Sequence, residues 1–233
     1  MKADVLDQLC LDRAEKRAVA LVTHLASGVQ ASVYLADNNA QTDLDPEIIE
    51  AALKALHDDK SRMIESPDGD VFIHVHNPPL RLIIVGAVHI AQPLARMAVV
   101  AGYAVTVVDP RQAFASPERF DGVAICNDWP DEAMRALDPD GRTAVVTLTH
   151  DPKLDDSALD VALRSPAFYI GSLGSNRTHG KRRDRLTERG FDDADFARIH
   201  GPVGLDIGAL TPAEIALSIM AEITQVRRRG ESP

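Results

Sequence analysis

The sequence predicts an α/β fold in which a parallel sheet carries helices on both faces, preceded by a small α+β domain. From residue 80 onward, short apolar runs rich in β-branched residues alternate with segments of helical spacing. The runs lack the apolar–polar alternation of a half-exposed strand, so both faces of each strand should be buried, as is typical of parallel sheets. The tripeptide Asn77-Pro78-Pro79 separates this part of the chain from the first part.

Residues 1–78 are predicted to form the small N-terminal domain. They contain a polar helix, a helix over DPEIIEAALKALHDD, and the strand-like stretches AVALVTH, QASVYLA and DVFIHVH. Proline cannot donate a hydrogen bond to a sheet and restricts the residue before it, so the two prolines form a natural boundary. We therefore expect the second domain to occupy residues 79–233.

The second domain is predicted to contain five strands with helices between them. The strands are RLIIVG, YAVTVVD, GVAICND, RTAVVTLTH and PAFYIGS, and the helices include ARMAVVAG, PDEAMRAL and KLDDSALDVALR. A last helix should begin at Pro212, where Thr211 and Glu214 form a capping box, and HGPVGLDIG before it should be a shaped loop. Ligands of open parallel sheets bind beyond the carboxyl ends of the strands, so the loops that follow the strands are the candidate sites.

Composition and charge limit the possible functions. The 233 residues include 25 Lys and Arg against 35 Asp and Glu, which gives a formal net charge of −10. Because such a chain repels nucleic acid and anionic membranes, we expect neither as a partner, and an anionic ligand needs a local cluster of positive charge. The N-terminus lacks the apolar region of a signal peptide, and no run reaches the roughly 18 apolar residues of a membrane helix. These features predict a cytoplasmic protein.

The first candidate loop follows the first strand of the second domain. Gly86 makes the turn in LIIVGAVHIAQPLARMA, and Asp109 ends the next strand 23 residues later. This is the arrangement of a Rossmann-like dinucleotide site, in which phosphate lies at the helix N-terminus and the acid binds a ribose. Val88 replaces the second glycine and should obstruct a pyrophosphate. Two alternatives stay open: a nucleotide-like phosphate site, or a structural turn in which Asp109 caps the loop of Pro110 and Arg111.

Two histidines lie in loops that follow strands. His89 either faces the cleft or is satisfied by a carbonyl group at the helix start. His150, in TLTHDPKLDD, offers an imidazole where a ligand would lie, whereas Asp151 is better placed to cap a helix that has Pro152 at its first position. No metal partner adjoins His150, and the sequence has no HExxH, CxxC, Walker loop or nucleophile elbow. We therefore predict neither a metal site nor a catalytic residue.

The third candidate loop, YIGSLGSNRTHGKRR, carries dense positive charge. Gly171 and Gly174 permit a close approach of the backbone, while Ser175 and Asn176 offer donors and a helix cap. Exposed amides at a helix N-terminus, with Arg177 in the first turn, suit a phosphate or another anion. The later arginines of this helix are predicted to belong to a solvated, salt-bridged face: Arg183, Arg185 and Arg189.

Five motifs, in this order, resemble the XdhC/CoxI family of maturation factors for xanthine dehydrogenase and carbon monoxide dehydrogenase type molybdoenzymes. They are LIIVGAVHIAQPLA, VTVVDPR, THDPKLDD, YIGSLGSNRTHGKR and IHGPVGLDIGALTPAEIALSIMAEI, and the resemblance spans about residues 70–225. It implies a Rossmann-like domain that binds the molybdenum cofactor, promotes its sulfuration with a cysteine desulfurase, protects it, and delivers it to a molybdenum hydroxylase apoenzyme. It also implies a homodimer.

With that resemblance, the predicted cofactor site draws on all three loops. Its residues are Gly86, His89, Asp109, Arg111, His150, Gly171, Gly174, Ser175, Asn176, Arg177 and His179. The bound anion would be the phosphate of molybdopterin, with or without an attached nucleotide. The alternatives to a cofactor chaperone are an NAD(P)-dependent oxidoreductase that uses the same domain, and a scaffolding member of the family with a degenerate pocket.

The sequence departs from the family pattern in two places. The family's glycine turn reads GAGH, whereas this chain has Gly86-Ala87-Val88-His89. The family's N-terminal domain typically carries a GGCVEG-like segment, and the corresponding stretch here, NNAQTDLDPEII, has neither glycine nor cysteine. The two cysteines of the chain, Cys10 and Cys126, do not occupy the missing position. If the family's cysteine handles sulfur or the cofactor, this protein lacks that means.

Overall fold

The computed structural model describes residues 3–35 and 44–229. Contacts within the chain divide it into two compact units, Met1–Pro78 and Pro79–Pro233. Residues 38–43, the first half of NNAQTDLDPEII, lie outside the described residues. Within the described ranges, no helix combines the length and the apolar character that crossing a membrane requires.

The first unit is built on a four-stranded antiparallel sheet in the order β2-β1-β4-β3. Its strands are β1 (Val19–His24), β2 (Gln30–Tyr34), β3 (Arg62–Ile64) and β4 (Val71–His76). Its helices are α1 (Ala3–Ala14) and α2 (Pro46–Asp58). Alternate residues of β1 face opposite sides: Val19 and Leu21 pack against Leu9 of α1, whereas Ala20 and Val22 pack with α2. The predicted α+β domain is confirmed, and the sequence did not indicate the short strand β3.

The second unit is built on a six-stranded parallel sheet in the order β7-β6-β5-β8-β9-β10. Its strands are β5 (Arg81–Val85), β6 (Ala104–Val108), β7 (Ala124–Cys126), β8 (Thr143–Thr147), β9 (Tyr169–Ser172) and β10 (Ile199–His200). The chain builds outward from β5 in one direction and then from β8 in the other, which is the strand order of the Rossmann fold. The Rossmann-like prediction is therefore confirmed. The sequence did not predict the strand β10, a two-residue edge strand whose second residue, His200, was expected to begin a loop.

Helices cover both faces of this sheet. They are α3 (Ala91–Val100), α4 (Pro130–Leu137), α5 (Pro152–Leu163), α6 (Asn176–Glu188), α7 (Asp193–Ala197) and α8 (Pro212–Arg229). Leu82 and Ile84 of β5 face the cluster that contains α3 and α8, while Ile83 and Val85 face the cluster that contains α4, α5 and α6. Burial on both faces explains why the strands show no apolar–polar alternation.

Side-chain caps fix where three helices begin. Asp151 accepts a hydrogen bond of 2.9 Å from a backbone amide of α5, as predicted. Ser175 Oγ accepts one of 3.3 Å from the Thr178 amide at the start of α6. The predicted capping box of α8 is confirmed, since Glu214 accepts from the Thr211 amide at 2.8 Å and Thr211 Oγ1 accepts from the Glu214 amide at 3.3 Å. Because α5 and α6 follow β8 and β9, the first two caps lie at the carboxyl edge of the sheet.

Gly171 lies inside β9 and is buried, so its lack of a side chain serves packing within the sheet. A Cβ at this position would lie 2.5 Å from Cγ2 of Val203 and 2.8 Å from the Tyr169 ring. We predict that Gly171→Ala lowers the free energy of unfolding by roughly 1–3 kcal/mol through overpacking. Urea unfolding followed by the fluorescence of Trp129, the single tryptophan, measures this change in the second unit.

The matched control is Gly180→Ala in α6, where an added Cβ meets nothing within 4 Å. This change should stabilise the unit by roughly 0.5–1 kcal/mol, because alanine loses less backbone entropy than glycine in a helix. Equal effects at the two glycines would contradict the packing explanation.

Candidate functional site

The loops after β5 and β8 meet where the two halves of the sheet diverge, which is the switch point where a Rossmann fold binds its ligand. Gly86 follows β5 with φ of +108°. A Cβ at Gly86 would lie 2.6 Å from Cγ2 of Thr149, so the Thr149 side chain packs directly on the glycine. Gly86 is thus required both for its backbone conformation and for this contact, and the two loops close against each other here.

Asp109, at the end of β6, is fully buried with 0% exposure. Its Oδ2 accepts hydrogen bonds of 2.8 Å from the Ala87 amide and from Arg111 Nη2. Its Oδ1 accepts bonds of 2.9 Å from the amide and from Nε of Arg111. Burial opposes ionisation, but the Arg111 side chain and the two amides outweigh it and hold the pKa of Asp109 below its usual value. Both carboxylate oxygens are thus engaged in tying the glycine loop to Arg111.

One predicted site residue, His89, lies in the turn before α3 and is exposed to solvent. Val88, which replaces the second glycine of a dinucleotide loop, is half-buried against the core cluster that contains α3 and α8.

The loop after β8 is held by Asp155, a buried residue of α5 with 2% exposure. Asp155 Oδ1 accepts from the Thr149 amide at 3.1 Å and from Thr149 Oγ1 at 2.7 Å, and Oδ2 accepts from the His150 amide at 3.1 Å. His150 adopts the left-handed conformation with φ of +60°, which is uncommon for a residue other than glycine, and it is exposed. Burial raises the pKa of Asp155 even though these hydrogen bonds favour the carboxylate.

The loop after β9 leads directly into α6. Gly174 has φ of +145°, and a Cβ there would lie 2.9 Å from Cγ2 of Thr178, so the tight turn into the helix requires glycine. The cap residue Ser175 and the next two residues, Asn176 and Arg177, are exposed. The first-turn amides of a helix have no acceptor within the helix, so this end of α6 favours an anion.

A cleft of about 390 Å³ lies between the start of α5 and the first half of α6. The cationic residues that line it all come from α6: Arg177, Lys181, Arg182 and Arg185. The other lining residues are His150, Pro152, Asp155 and Thr178. Four cationic side chains thus converge against one buried carboxylate in a chain whose net charge is −10.

The structure therefore brings together only some of the predicted site residues. Arg177 and His150 line the cleft, with Ser175 and Asn176 at the adjoining helix start. The residues of the β5 and β6 loops do not line it: Gly86, His89, Asp109 and Arg111.

Arg182 is the most deeply buried cation of the cleft, with 2% exposure. Its Nη2 donates to the Leu173 carbonyl at 2.9 Å, and its Nη1 lies 3.3 Å from Nδ1 of His179. Its Nε is buried and has no hydrogen-bond partner within the described residues. Burial lowers the pKa of Arg182, and the nearby Asp155 and Asp156 oppose that effect. A guanidinium of this kind stays charged, so the wall of the cleft carries a fixed positive charge.

His179 is not among the residues that line the cleft. Its ring packs against Phe196, with centroids 4.4 Å apart, and against Gly201. Because arginine can only donate, Nδ1 of His179 accepts from Arg182 and the ring proton lies on Nε2. Burial and the neighbouring Arg182 lower the pKa of His179, which favours the neutral ring.

Arg185 departs from the predicted solvated face. Both its Nε and its Nη2 bind the carboxylate of Asp156, a buried residue of α5, and the Nη2–Oδ1 distance is 3.0 Å. Arg189 also donates to the Asp156 carbonyl at 3.3 Å. Arg183 behaves as predicted, since it is exposed and pairs with the exposed Asp193 at 2.5 Å. Arg185 is thus salt-bridged as predicted, but its partner is a buried carboxylate of another helix, so the residue is half-buried and not solvated.

The family model described as the XdhC Rossmann domain matches residues 82–223, from β5 into α8. The chain belongs to the XdhC family. The matched segment includes the glycine loop, Asp109, the β8–α5 loop and all of α6, so this XdhC domain contains the whole cleft.

Two curated relatives have informative names. The chain is 34% identical over 162 residues to a Bacillus subtilis protein named as a probable subunit of xanthine dehydrogenase, covering 69% of this chain and 47% of that protein. It is 33% identical over 154 residues to the molybdenum cofactor insertion chaperone PaoD of Escherichia coli, covering 66% of this chain and 42% of PaoD. The XdhC chain thus spans less than half of the length of these relatives.

A solved structure resembles the chain over nearly its whole length. A crystal structure described as a xanthine dehydrogenase from Bacillus halodurans matches with a TM-score of 0.68 and 26% sequence identity. The match covers 99% of this chain and 65% of that one.

Asp109→Asn tests the link between the glycine loop and Arg111. The variant loses charge-assisted hydrogen bonds, so we predict that the free energy of unfolding falls by roughly 1.5–3 kcal/mol at neutral pH. The pKa of Asp109 is lower in the folded protein than its usual value of 3.8, so the native state binds fewer protons there than the unfolded chain. Its contribution is therefore fully present above that usual value and is lost as the pH falls through the folded-state pKa.

Urea unfolding at about pH 7 and about pH 3 measures both effects, and the variant should lose less stability between these values than the wild type. Asp160→Asn is the control, since Asp160 of α5 forms a surface pair at 3.2 Å with Arg164, the residue that follows the helix. Its cost should stay below about 0.5 kcal/mol. An unchanged pH dependence in Asp109→Asn would refute the assigned role.

Proposed function

We propose that this XdhC-family protein binds the molybdenum cofactor and delivers it to a molybdenum hydroxylase apoenzyme of the xanthine dehydrogenase or carbon monoxide dehydrogenase type. The names of the two curated relatives support the association with such enzymes and with cofactor insertion. The observation that carries the proposal is the cationic cleft between α5 and α6. It is a local anion site in an acidic chain, and it lies at the sheet edge where open α/β folds bind ligands.

The residues of the cleft fit the phosphate of a pterin cofactor. Arg177 and Lys181 can reach a ligand from the first turns of α6, while the helix N-terminus adds amide donors. The imidazole of His150, on the opposite side, can bind a polar edge of the pterin. The cofactor would supply the molybdenum–dithiolene chemistry to the client enzyme, and the role of this chain is to bind, shield and release it.

We further propose that sulfuration depends on a partner cysteine desulfurase. The chain has two cysteines, and neither lines the cleft: Cys10 lies in α1 and Cys126 in β7. Burial raises the pKa of the Cys126 thiol, which lowers its thiolate fraction at neutral pH. A sulfur atom would therefore be transferred to the bound cofactor from the partner. A homodimer, as in the family resemblance, is part of the same proposal.

The Rossmann strand order also suits an NAD(P)-dependent oxidoreductase, but the details of the first loop favour the chaperone. Asp109, the residue expected to bind ribose, has both oxygens engaged by Ala87 and Arg111. Val88 also replaces the second glycine, which lets a pyrophosphate approach the backbone in dinucleotide-binding loops. Saturable NADH binding with hydride transfer to a carbonyl compound would favour the oxidoreductase over this proposal.

Molybdopterin binding to purified protein tests the proposal directly. We predict that the wild type binds with micromolar or better affinity and that Arg177→Ala weakens binding at least tenfold, about 1.4 kcal/mol, because a charge-assisted contact to phosphate is lost. Arg183→Ala is the matched control, since Arg183 lies on the same helix, pairs with Asp193 and does not line the cleft.

Equal affinities of Arg177→Ala and Arg183→Ala would reject the site. If the wild type binds no cofactor but still associates with the apoenzyme, the protein is a scaffold and the chaperone proposal fails.

A further inference from the structure

Three of the four cations in the cleft form no ion pair with a carboxylate, although Asp155 and Asp156 lie close enough to Arg182 to offset part of its charge. Arg185 is paired with Asp156, and the Asp155 carboxylate accepts its hydrogen bonds from Thr149 and His150. Within residues 3–35 and 44–229, no ion pair of 4 Å or less joins Arg177, Lys181 or Arg182 to an acidic side chain. The exposed Arg177 and Lys181 keep their full charge, so a ligand with two negative charges matches these two cations.

Arg182 gives independent evidence for a ligand. Buried arginines normally have their donors satisfied, yet Nε of this 2% exposed residue has no partner among the described residues. The guanidinium is held in place through Leu173 and His179, so its orientation is set without a ligand. A fixed, desolvated charge in the wall of a small cleft attracts an oxyanion more strongly than the same charge does in water.

The dimensions and position of the cleft indicate which part of a ligand it receives. A volume of about 390 Å³ accommodates a phosphate with a few attached groups. The crevice that would receive a dinucleotide lies one strand away, where Thr149 packs on Gly86. A phosphomonoester carries a charge of roughly −1.5 to −2 on three terminal oxygens, whereas a diester or a bridging phosphate carries one charge on two. Arg177 and Lys181, together with the partly offset charge of Arg182, match the monoester better.

We propose that the cleft between α5 and α6 is a phosphomonoester site, bound by Arg177, Lys181 and Arg182 with the amides at the start of α6. Resting on the proposed function, this means that the chain recognises the cofactor form that ends in a free phosphate. In the form whose phosphate is joined to a nucleotide, each phosphate of the pyrophosphate carries one charge on two terminal oxygens, so neither presents a dianionic group with three oxygens. The closed glycine loop also offers the ribose of that form no free carboxylate.

Isothermal titration with phenyl phosphate, inorganic phosphate and diphenyl phosphate tests this site in the full chain. We expect phenyl phosphate and inorganic phosphate to bind at least tenfold more tightly than the diester. Tighter binding of phenyl phosphate than of inorganic phosphate would identify an esterified ligand, and the reverse order would identify free phosphate. Equal affinities for monoester and diester, or no binding below about 10 mM, would overturn the proposal.

Variants of the same helix locate the binding. Lys181 is exposed, so Lys181→Ala should preserve the fold while weakening phenyl phosphate binding about tenfold. Arg182→Gln should weaken it further, with Trp129 fluorescence used to verify folding. Arg183→Ala, outside the cleft, should bind as the wild type does. Loss of binding in Arg183→Ala, or none in Lys181→Ala, would overturn the assignment.

The two proposals fail differently. Phenyl phosphate binding that depends on Lys181, without any molybdopterin binding, would keep the phosphomonoester site and reject the cofactor function. Molybdopterin binding that survives Lys181→Ala, in a protein that binds no phenyl phosphate, would keep the cofactor function and reject the phosphomonoester site.

Discussion

A single buried carboxylate, Asp155, fixes the loop after β8 at the carboxyl edge of the sheet, where ligands of open α/β folds bind. It accepts hydrogen bonds from the backbone and hydroxyl of Thr149 and from the His150 amide. These bonds hold Thr149 against Gly86 and keep His150 in a left-handed conformation. Because Asp155 also lines the cleft, the same residue closes the switch point and shapes the wall of the neighbouring site.

Asp109 and Asp155 are both buried at this edge, but their environments act in opposite directions. Burial dominates at Asp155 and raises its pKa, whereas at Asp109 the Arg111 side chain and two amides outweigh burial and lower the pKa. Both oxygens of Asp109 are thus occupied by hydrogen bonds from Arg111 and the Ala87 amide. The domain therefore has the strand order of a dinucleotide-binding fold, but the acid at the ribose-binding position is not free to bind a ribose. The cationic cleft lies one strand away, beside α6. Fold alone is thus a poor guide to the ligand of this domain.

Local signals were sufficient to predict much of the fold. The strands around β5 and β8, the caps Asp151 and Ser175, and the capping box at Thr211 depend on residues close together in sequence. The two-residue strand β10 has no such signal, because its pairing with β9 is a tertiary contact.

The site was only partly predictable for the same reason. The residues that line the cleft from α6 include three cations spaced four apart, which share one face of the helix: Arg177, Lys181 and Arg185. Nothing local distinguishes Arg182 from the arginine that follows it, yet one is buried and the other is solvated. That difference depends on where α6 packs against its neighbours, so it requires the assembled fold.

We expect the ligand of this protein to occupy the cleft between α5 and α6 and not the glycine loop after β5. Amide hydrogen exchange with and without molybdopterin tests it most directly, because it reports on both places in one experiment. We expect slower exchange at residues 149–155 and 175–182, with no change at residues 86–91. Protection at residues 86–91 without protection at residues 175–182 would contradict it.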